Sequence, residues 1–121
     1  MKSKILALSK NEEFKNLLKQ KKITNKYVSI FFGKLLNKDK KRLNISFVTK
    51  KKIGNAVKRN KIKRRLRNIM NDANKKLNLN LKYCYLLIAK SLITKDPYED
   101  IKETLFTDFK KIKWSKLLNN Y

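Results

Sequence analysis

Apolar positions along the chain follow two different periods, and the switches between them mark the elements. In "SKNEEFKNLLK", Phe14, Leu17 and Leu18 recur at helical spacing behind a capping box formed by Ser9 and Glu12. A short amphipathic helix through about Lys19 is predicted. The next stretches change to strand character. "NKYVSIFFGKLL" is β-branched and aromatic from Tyr27 to Phe32, and "RLNISFVT" alternates Leu43, Ile45 and Phe47 against Asn44 and Ser46. With the polar turn "NKDKK" between them, these two strands are expected to pair as a hairpin.

From Ala56 the helical period returns. Ile62, Leu66, Ile69, Met70, Ala73 and Leu77 share an arc about 100° wide at about 100° per residue, which predicts a core-facing stripe. Asn60, Lys63, Arg64, Arg67 and Asn71 form the opposed polar face, and Asn55 is placed to cap the helix. Arg59 falls inside the apolar arc, so either the helix runs past the core there or Arg59 points along the sheet toward a ligand. "LKYCYLLIAK" is apolar on both faces, as for a strand buried on two sides or one whose aromatic face is otherwise used. In "DPYE", Asp96 reads as a cap, Pro97 as the first helical residue and Glu99 as the capping-box partner. Ile101, Leu105, Phe109 and Ile112 continue that helix's inner face, and Trp114, Leu117 and Leu118 are expected to cover the end of the core. The order α-β-β-α-β-α predicts an α+β sandwich of helices on a small mixed sheet.

Composition changes this picture mainly through charge. The length of 121 residues and the apolar share of 41% suit one domain, residues 1–121, with a modest core. Against 9 Asp and Glu stand 33 Lys and Arg, a net charge of +24. Solubility asks for only about 2 to 8 charges in a small domain, so a polyanion is expected to neutralise the rest. Nucleic acid is favoured over an anionic membrane, because the basic helix has a core-type aliphatic stripe and no Trp- or Phe-lined face.

Other chemistry is sparse. The chain has no histidine, so the commonest general base and transition-metal ligand are missing, and its two glycines cannot make a glycine-rich phosphate loop. Its acids open predicted helices, where they offset the dipole. No catalytic and no metal-binding residue is expected. The single Cys84 lies in "YCYLLIA" and should be a buried structural thiol. The apolar run in "MKSKILALSK" is too short for a signal peptide, and no segment approaches a membrane span, so a soluble cytoplasmic protein is expected.

The charge is local. The 32 residues from Lys40 to Asn71 hold 13 Lys or Arg and no acid. Gly54 would let the backbone approach a ligand, the following helix start offers free N–H groups, and Lys51, Lys52 and Lys58 add mobile charge. Arg59, Arg64 and Arg67 add planar forks suited to phosphate.

The run "KKIGNAVKRNKIKRRLR" resembles the signature of the bacterial ribonuclease P protein, K-x-G-N-A-V-x-R-N-R-x-K-R-x-x-R. Lys52, Gly54, Asn55, Ala56, Val57, Arg59, Asn60, Lys63, Arg64 and Arg67 match, and Lys61 replaces an arginine. The flanking elements "NEEFKNLL", "YCYLLIAK" and "PYEDIKETLFTDF" follow in the family's order. The resemblance implies a ribosomal protein S5 domain 2-like fold whose signature helix joins two parallel strands by a left-handed crossover, where general rules predict a right-handed one.

It also implies a function: the protein subunit of the ribonucleoprotein that removes the 5′ leader from precursor transfer RNA. In such a complex the RNA subunit supplies most of the catalysis and the Mg2+ sites, and the protein alone is inactive and binds no cofactor. By position, Lys51, Lys52, Lys58, Arg59, Asn60, Lys61, Lys63, Arg64 and Arg67 should meet the RNA subunit. Phe14, Tyr27 and Phe31 should line a cleft for the single-stranded leader. The chain departs from the family at Leu18, which replaces a second phenylalanine, and at Lys21, which replaces a glycine. The expected partners are thus the RNA subunit and precursor tRNA, with no DNA and no membrane. A general RNA-binding or ribosome-assembly protein is the alternative, distinguished by basic residues whose loss weakens all RNAs alike.

Overall fold

The computed structural model describes residues 5–8, 11–35 and 41–113. The elements are β1 (Ile5–Leu6), α1 (Asn11–Leu18), β2 (Lys21–Thr24), β3 (Val28–Gly33), β4 (Leu43–Val48), α2 (Ala56–Lys76), β5 (Cys84–Ala89) and α3 (Tyr98–Lys113). Ser9, most of the polar turn before Lys41, and Trp114, Leu117 and Leu118 lie outside the described residues.

The strands form one mixed sheet in the order β1-β4-β5-β3-β2. This corrects the expected hairpin between the Tyr27–Phe32 and Leu43–Val48 segments, because β5 lies between β3 and β4. It runs antiparallel to β3, with Ile30 opposite Leu87, and parallel to β4, with Ile45 opposite Tyr85. The reason is burial on two sides. Tyr85, Leu87 and Ala89 enter one core and Cys84 and Leu86 the other, so β5 takes the centre, where both faces and both edges are covered.

The true hairpin is β2–β3, with Ile23 opposite Ile30. Its turn is set by Asn25, whose Oδ1 accepts from the backbone N–H groups of Tyr27 (2.7 Å) and Val28 (2.9 Å). β2 escaped prediction because Ile23 is its only apolar residue.

The long helix matches its period. Ile62, Leu66, Ile69, Met70 and Ala73 are buried, and the Asn55 side chain accepts from Lys58 N–H at 2.9 Å. Together with α3, through Ile101, Leu105, Phe109 and Ile112, α2 covers one sheet face made by Val28, Ile30, Phe32, Leu43, Ile45, Phe47, Tyr85 and Leu87. The short helix α1 covers part of the other face, burying Leu17 against Leu8, Cys84 and Leu86.

At the start of α3 the cap differs from expectation. The Pro97 carbonyl accepts the first bonds, from Asp100 N–H (3.1 Å) and Ile101 N–H (3.3 Å). The Asp96 carboxylate instead accepts from the Tyr27 hydroxyl at 2.5 Å, a hydrogen bond that raises the tyrosine's pKa above its ordinary value.

Candidate RNA-binding face

Two surfaces with opposite character meet at the edge of β4. The first is the helix α2. None of Ala56–Lys61 is buried, so its first turns project past the core, and all of these residues but Arg59 are exposed. Lys51 and Lys52 stand exposed in a short 3-10 turn just before, and Lys58, Asn60, Lys61, Arg64 and Arg67 are exposed along the helix. This settles the question of Arg59: the helix does run beyond the core. Arg59 is half-buried there, with an Nε that is buried and has no hydrogen-bond partner. Gly54 has an extended backbone that any residue can adopt. A Cβ there would come within 2.6 Å of the flexible Lys58 side chain, so what glycine leaves is room for that lysine.

The second surface is the sheet face that α1 leaves partly open. Across the strands two rows of side chains lie side by side. One is Val48, Ile88, Ser29 and Thr24; the next is Ser46, Leu86, Phe31 and Lys22. Val48, Ile88, Ser29 and Phe31 remain half-exposed, and half-exposed Phe14 of α1 packs on the same cluster. The result is a cleft with an apolar floor and an aromatic wall. Lys22 closes it at the β2 edge, with its Nζ 5.7 Å from the Phe31 ring centre. Leu18 is 46% exposed, four residues after Phe14 on the same side of α1, so it extends the wall with an aliphatic group where the family carries a ring.

The structure brings Phe14 and Phe31 together and removes Tyr27 from the cleft. Tyr27 is fully buried in the main core with its hydroxyl held by Asp96, so no leader base can reach its ring. The turn is the cause: Tyr27 precedes β3 and so escapes the strand alternation, which puts Phe31 on one face with Ser29 and sends Val28, Ile30 and Phe32 into the main core. Sequence reasoning missed Lys22, Val48 and Ile88. The β-strand period marks Val48 and Ile88 as facing away from the main core, but it gives no sign that α1 stops short of covering them.

At the β4 edge the two surfaces join. Among the described residues β1 pairs with β4 only at Leu43 and Asn44. A groove of about 350 Å³ opens there, lined by Ala7, Phe14, residues 45–49 of β4 and its end, and Lys63 and Arg67 of α2. Ser46 is fastened at the groove's start, where its hydroxyl accepts from Leu8 N–H at 2.7 Å.

A family model described as Ribonuclease P matches residues 3–113. The chain belongs to the ribonuclease P protein family. The ribonuclease P protein component of Bacillus pumilus is 35% identical over 105 residues, covering 86% of this chain and 85% of that protein. That of Mycoplasma mycoides is 33% identical over 106 residues, covering 88% and 94%. Among solved structures, the ribonuclease P protein of Thermotoga maritima superposes with a TM-score of 0.73 at 23% identity, covering 88% of this chain and 96% of that one. The Staphylococcus aureus protein gives 0.72 at 24%, covering 88% and 93%. These two establish a common fold. Ribonuclease P is the endoribonuclease of tRNA 5′ processing, and proteins of this family are its accessory subunit. Among the described residues no group of three or more His, Cys, Asp or Glu could hold a metal ion, and no helix is long and apolar enough to cross a membrane.

Proposed function

We propose that this chain acts as a single RNA-binding domain holding two RNAs at once: the RNA subunit of ribonuclease P on the projecting basic helix, and the 5′ leader of precursor tRNA in the cleft beside it. The observation that carries this is the junction at β4, where an apolar, aromatic cleft opens directly onto a helix with no acid before Asp72. Single-stranded RNA is held without sequence demand by stacking on such rings while cations follow its backbone. A structured RNA is bound by an array of Lys and Arg that releases counterions.

The chemistry of cleavage then falls to the RNA subunit, which would also bring the Mg2+ ions. The protein supplies position: with the leader fixed in the cleft and the RNA subunit on α2, the scissile bond is held against the RNA's reactive centre. The cytoplasm is the compartment in which we place this work.

The test is cleavage of precursor tRNA with Mg2+ by the protein alone, by the RNA subunit alone, and by both. At physiological salt the protein alone should leave the precursor intact, and its addition should raise leader removal by the RNA well above the RNA-only rate. A protein that binds the RNA subunit yet fails to stimulate it would refute the proposal.

A further inference from the structure

Asn25, in the turn between β2 and β3, uses every polar group it has. Its Oδ1 accepts from the backbone N–H groups of Tyr27 (2.7 Å) and Val28 (2.9 Å), its own backbone N–H donates to the Val28 carbonyl at 3.0 Å, and its carbonyl accepts from Lys90 Nζ at 2.7 Å. The remaining group, Nδ2, donates to Asp108 Oδ2 of α3 at 2.7 Å. Asp108 is 6% exposed, and its ion pair with the exposed Lys111 is a loose one at 3.9 Å.

A carboxylate is a costly group to bury, and nothing in the packing of α3 calls for one at this position. It does, however, what a neutral amide or hydroxyl cannot. The two ends of an asparagine amide have the same shape and differ only in which of them donates, so the group can sit either way round. An ionised carboxylate only accepts, and therefore takes Nδ2 and refuses Oδ1. With Nδ2 held by Asp108, Oδ1 is left facing the two N–H groups of the turn. The Lys90 contacts lack this selectivity, because the ammonium grips the Asn25 main-chain carbonyl and the Thr24 hydroxyl (2.6 Å), neither of which depends on how the amide lies.

We infer that Asp108 is a positioning residue for leader recognition: by accepting from Asn25 Nδ2 it fixes the amide orientation that sets the β2–β3 turn, and through the strand register it holds Phe31 and Lys22 on the open sheet face. The inference rests on the proposed function above and adds a residue outside both RNA surfaces, on a helix that covers the opposite face of the sheet from the cleft. The register leaves no slack. Lys22 stands opposite Phe31 and Thr24 opposite Ser29, while Val28, Ile30 and Phe32 enter the main core. A reversed amide would set its NH2 group against the two turn N–H groups and cancel both bonds. A slip of one residue carries every side chain of a strand to the other face.

The test compares the affinity of reconstituted holoenzyme for precursor tRNA with its leader and for the same tRNA without one. Asp108→Asn keeps the shape of the side chain but donates as well as accepts, so it tolerates either orientation of Asn25. If about a third to a tenth of the molecules keep the competent register, the dissociation constant for leader-bearing precursor rises about three- to tenfold, with leaderless tRNA within about twofold of wild type. Combining Asn25→Asp with Asp108→Asn should restore the preference, because the carboxylate then at position 25 has no wrong end and the amide at 108 donates to it. A residue that acts through Phe31 adds nothing once the ring is gone, so Asp108→Asn should cost no further affinity in a Phe31→Ala background, whereas a merely structural residue would add its own loss. Nuclear Overhauser contacts between the Phe31 ring and the Leu86 methyls, opposite each other across β3 and β5, should weaken in Asp108→Asn and return in the exchange variant. Tyr27→Phe, which gives up the neighbouring bond to Asp96, controls for lost stability: its midpoint should fall while its preference for the leader stays.

Equal losses for the two substrates, an unchanged preference in Asp108→Asn, or a loss that adds to that of Phe31→Ala would overturn the inference. Where Asp108→Asn proves too unstable to assay, the exchange variant decides: folded with the preference it supports the role of Asp108, and folded without it the role is lost. If the wild-type holoenzyme shows no preference for leader-bearing precursor at all, it is the proposed function that fails, and the Phe31–Leu86 contacts then decide by themselves whether Asp108 sets the register.

Discussion

Replacing Phe31 by alanine separates a role in the cleft from a role in the core. The ring is partly buried on the open sheet face, so truncation forfeits most of what a fully buried Phe→Ala costs, roughly 2 to 4 kcal/mol of stability against about 3 to 5. The folded protein should survive this. For binding, a base stacked on an aromatic ring contributes about 1 to 3 kcal/mol. Lys22 already sits over the Phe31 ring with its Nζ 5.7 Å from the centre. A base must displace that ammonium or share the ring with it, and an exposed cation–π contact is itself worth about 0.5 to 1 kcal/mol. The net loss should therefore lie in the lower half of the range, about 1 to 2 kcal/mol, or roughly 5- to 30-fold in affinity.

The assay compares dissociation constants of reconstituted holoenzyme for precursor tRNA with a full leader and with the leader trimmed to one nucleotide. Phe31→Ala should weaken the first and spare the second. Tyr27→Phe supplies the contrast. It removes the hydroxyl that Asp96 accepts from, so it should lower the thermal midpoint while leaving both dissociation constants unchanged. Equal weakening of both substrates by Phe31→Ala, or a leader-specific loss in Tyr27→Phe, would show that the cleft has been assigned to the wrong side of the sheet.

Other expectations follow from the same geometry. If about six to ten phosphates are neutralised, affinity for the RNA subunit should fall by roughly 10³ to 10⁵ between 50 and 200 mM salt, and a flat response in a binding titration would contradict the electrostatic basis of recognition. Asn55→Ala removes the side chain that caps α2 and should cost about 0.5 to 2 kcal/mol in denaturant unfolding; an unchanged midpoint would mean the cap is replaced by water. Arg64→Ala should slow or weaken assembly with the RNA subunit without moving the thermal midpoint, because the residue is exposed on the helix crest. The Asp72–Lys102 pair should leave a pH signature. The hydrogen bond between them lowers the Asp72 pKa from 3.8 and raises that of Lys102 from 10.5. The depressed carboxylate therefore contributes stability above about pH 3.8 that fades as pH falls through its folded value, and the raised ammonium contributes below about pH 10.5 and fades above it. Asp72→Asn should flatten both limbs of the stability–pH curve, and unaltered limbs would show the pair to be inert.

How much of this was legible in the sequence depended on whether a feature is local. The α2 stripe and the Asn55 cap are set by residues within a turn or two of one another, and both were readable. Strand pairing is not local. Nothing within Leu43–Val48 says that its partner is Cys84–Ala89, some forty residues on; the clue lay in β5 itself, whose two apolar faces require a central place in the sheet. The same limit applied to α3, where Asp96 fits a cap in every local respect but is drawn away by Tyr27, 69 residues distant in sequence.

The site was legible to the same degree. Basic residues announce themselves by composition, and their match to a family signature named the partner class, but neither says which flank of a helix they occupy once it has docked. Tyr27 and Phe31 look equivalent in "NKYVSIFF", two aromatics in one strand-forming run. The fold separates them because the turn set by Asn25 ends just before Val28, which enters the main core and thereby sends Phe31, three residues on, to the opposite face. Tyr27 lies outside that alternation, in the turn, and is drawn inward by Asp96. A single asparagine in a hairpin turn therefore fixes which aromatic lines the cleft. Shifting that turn by one residue would bury Phe31 and expose Ile30 and Phe32 in its place.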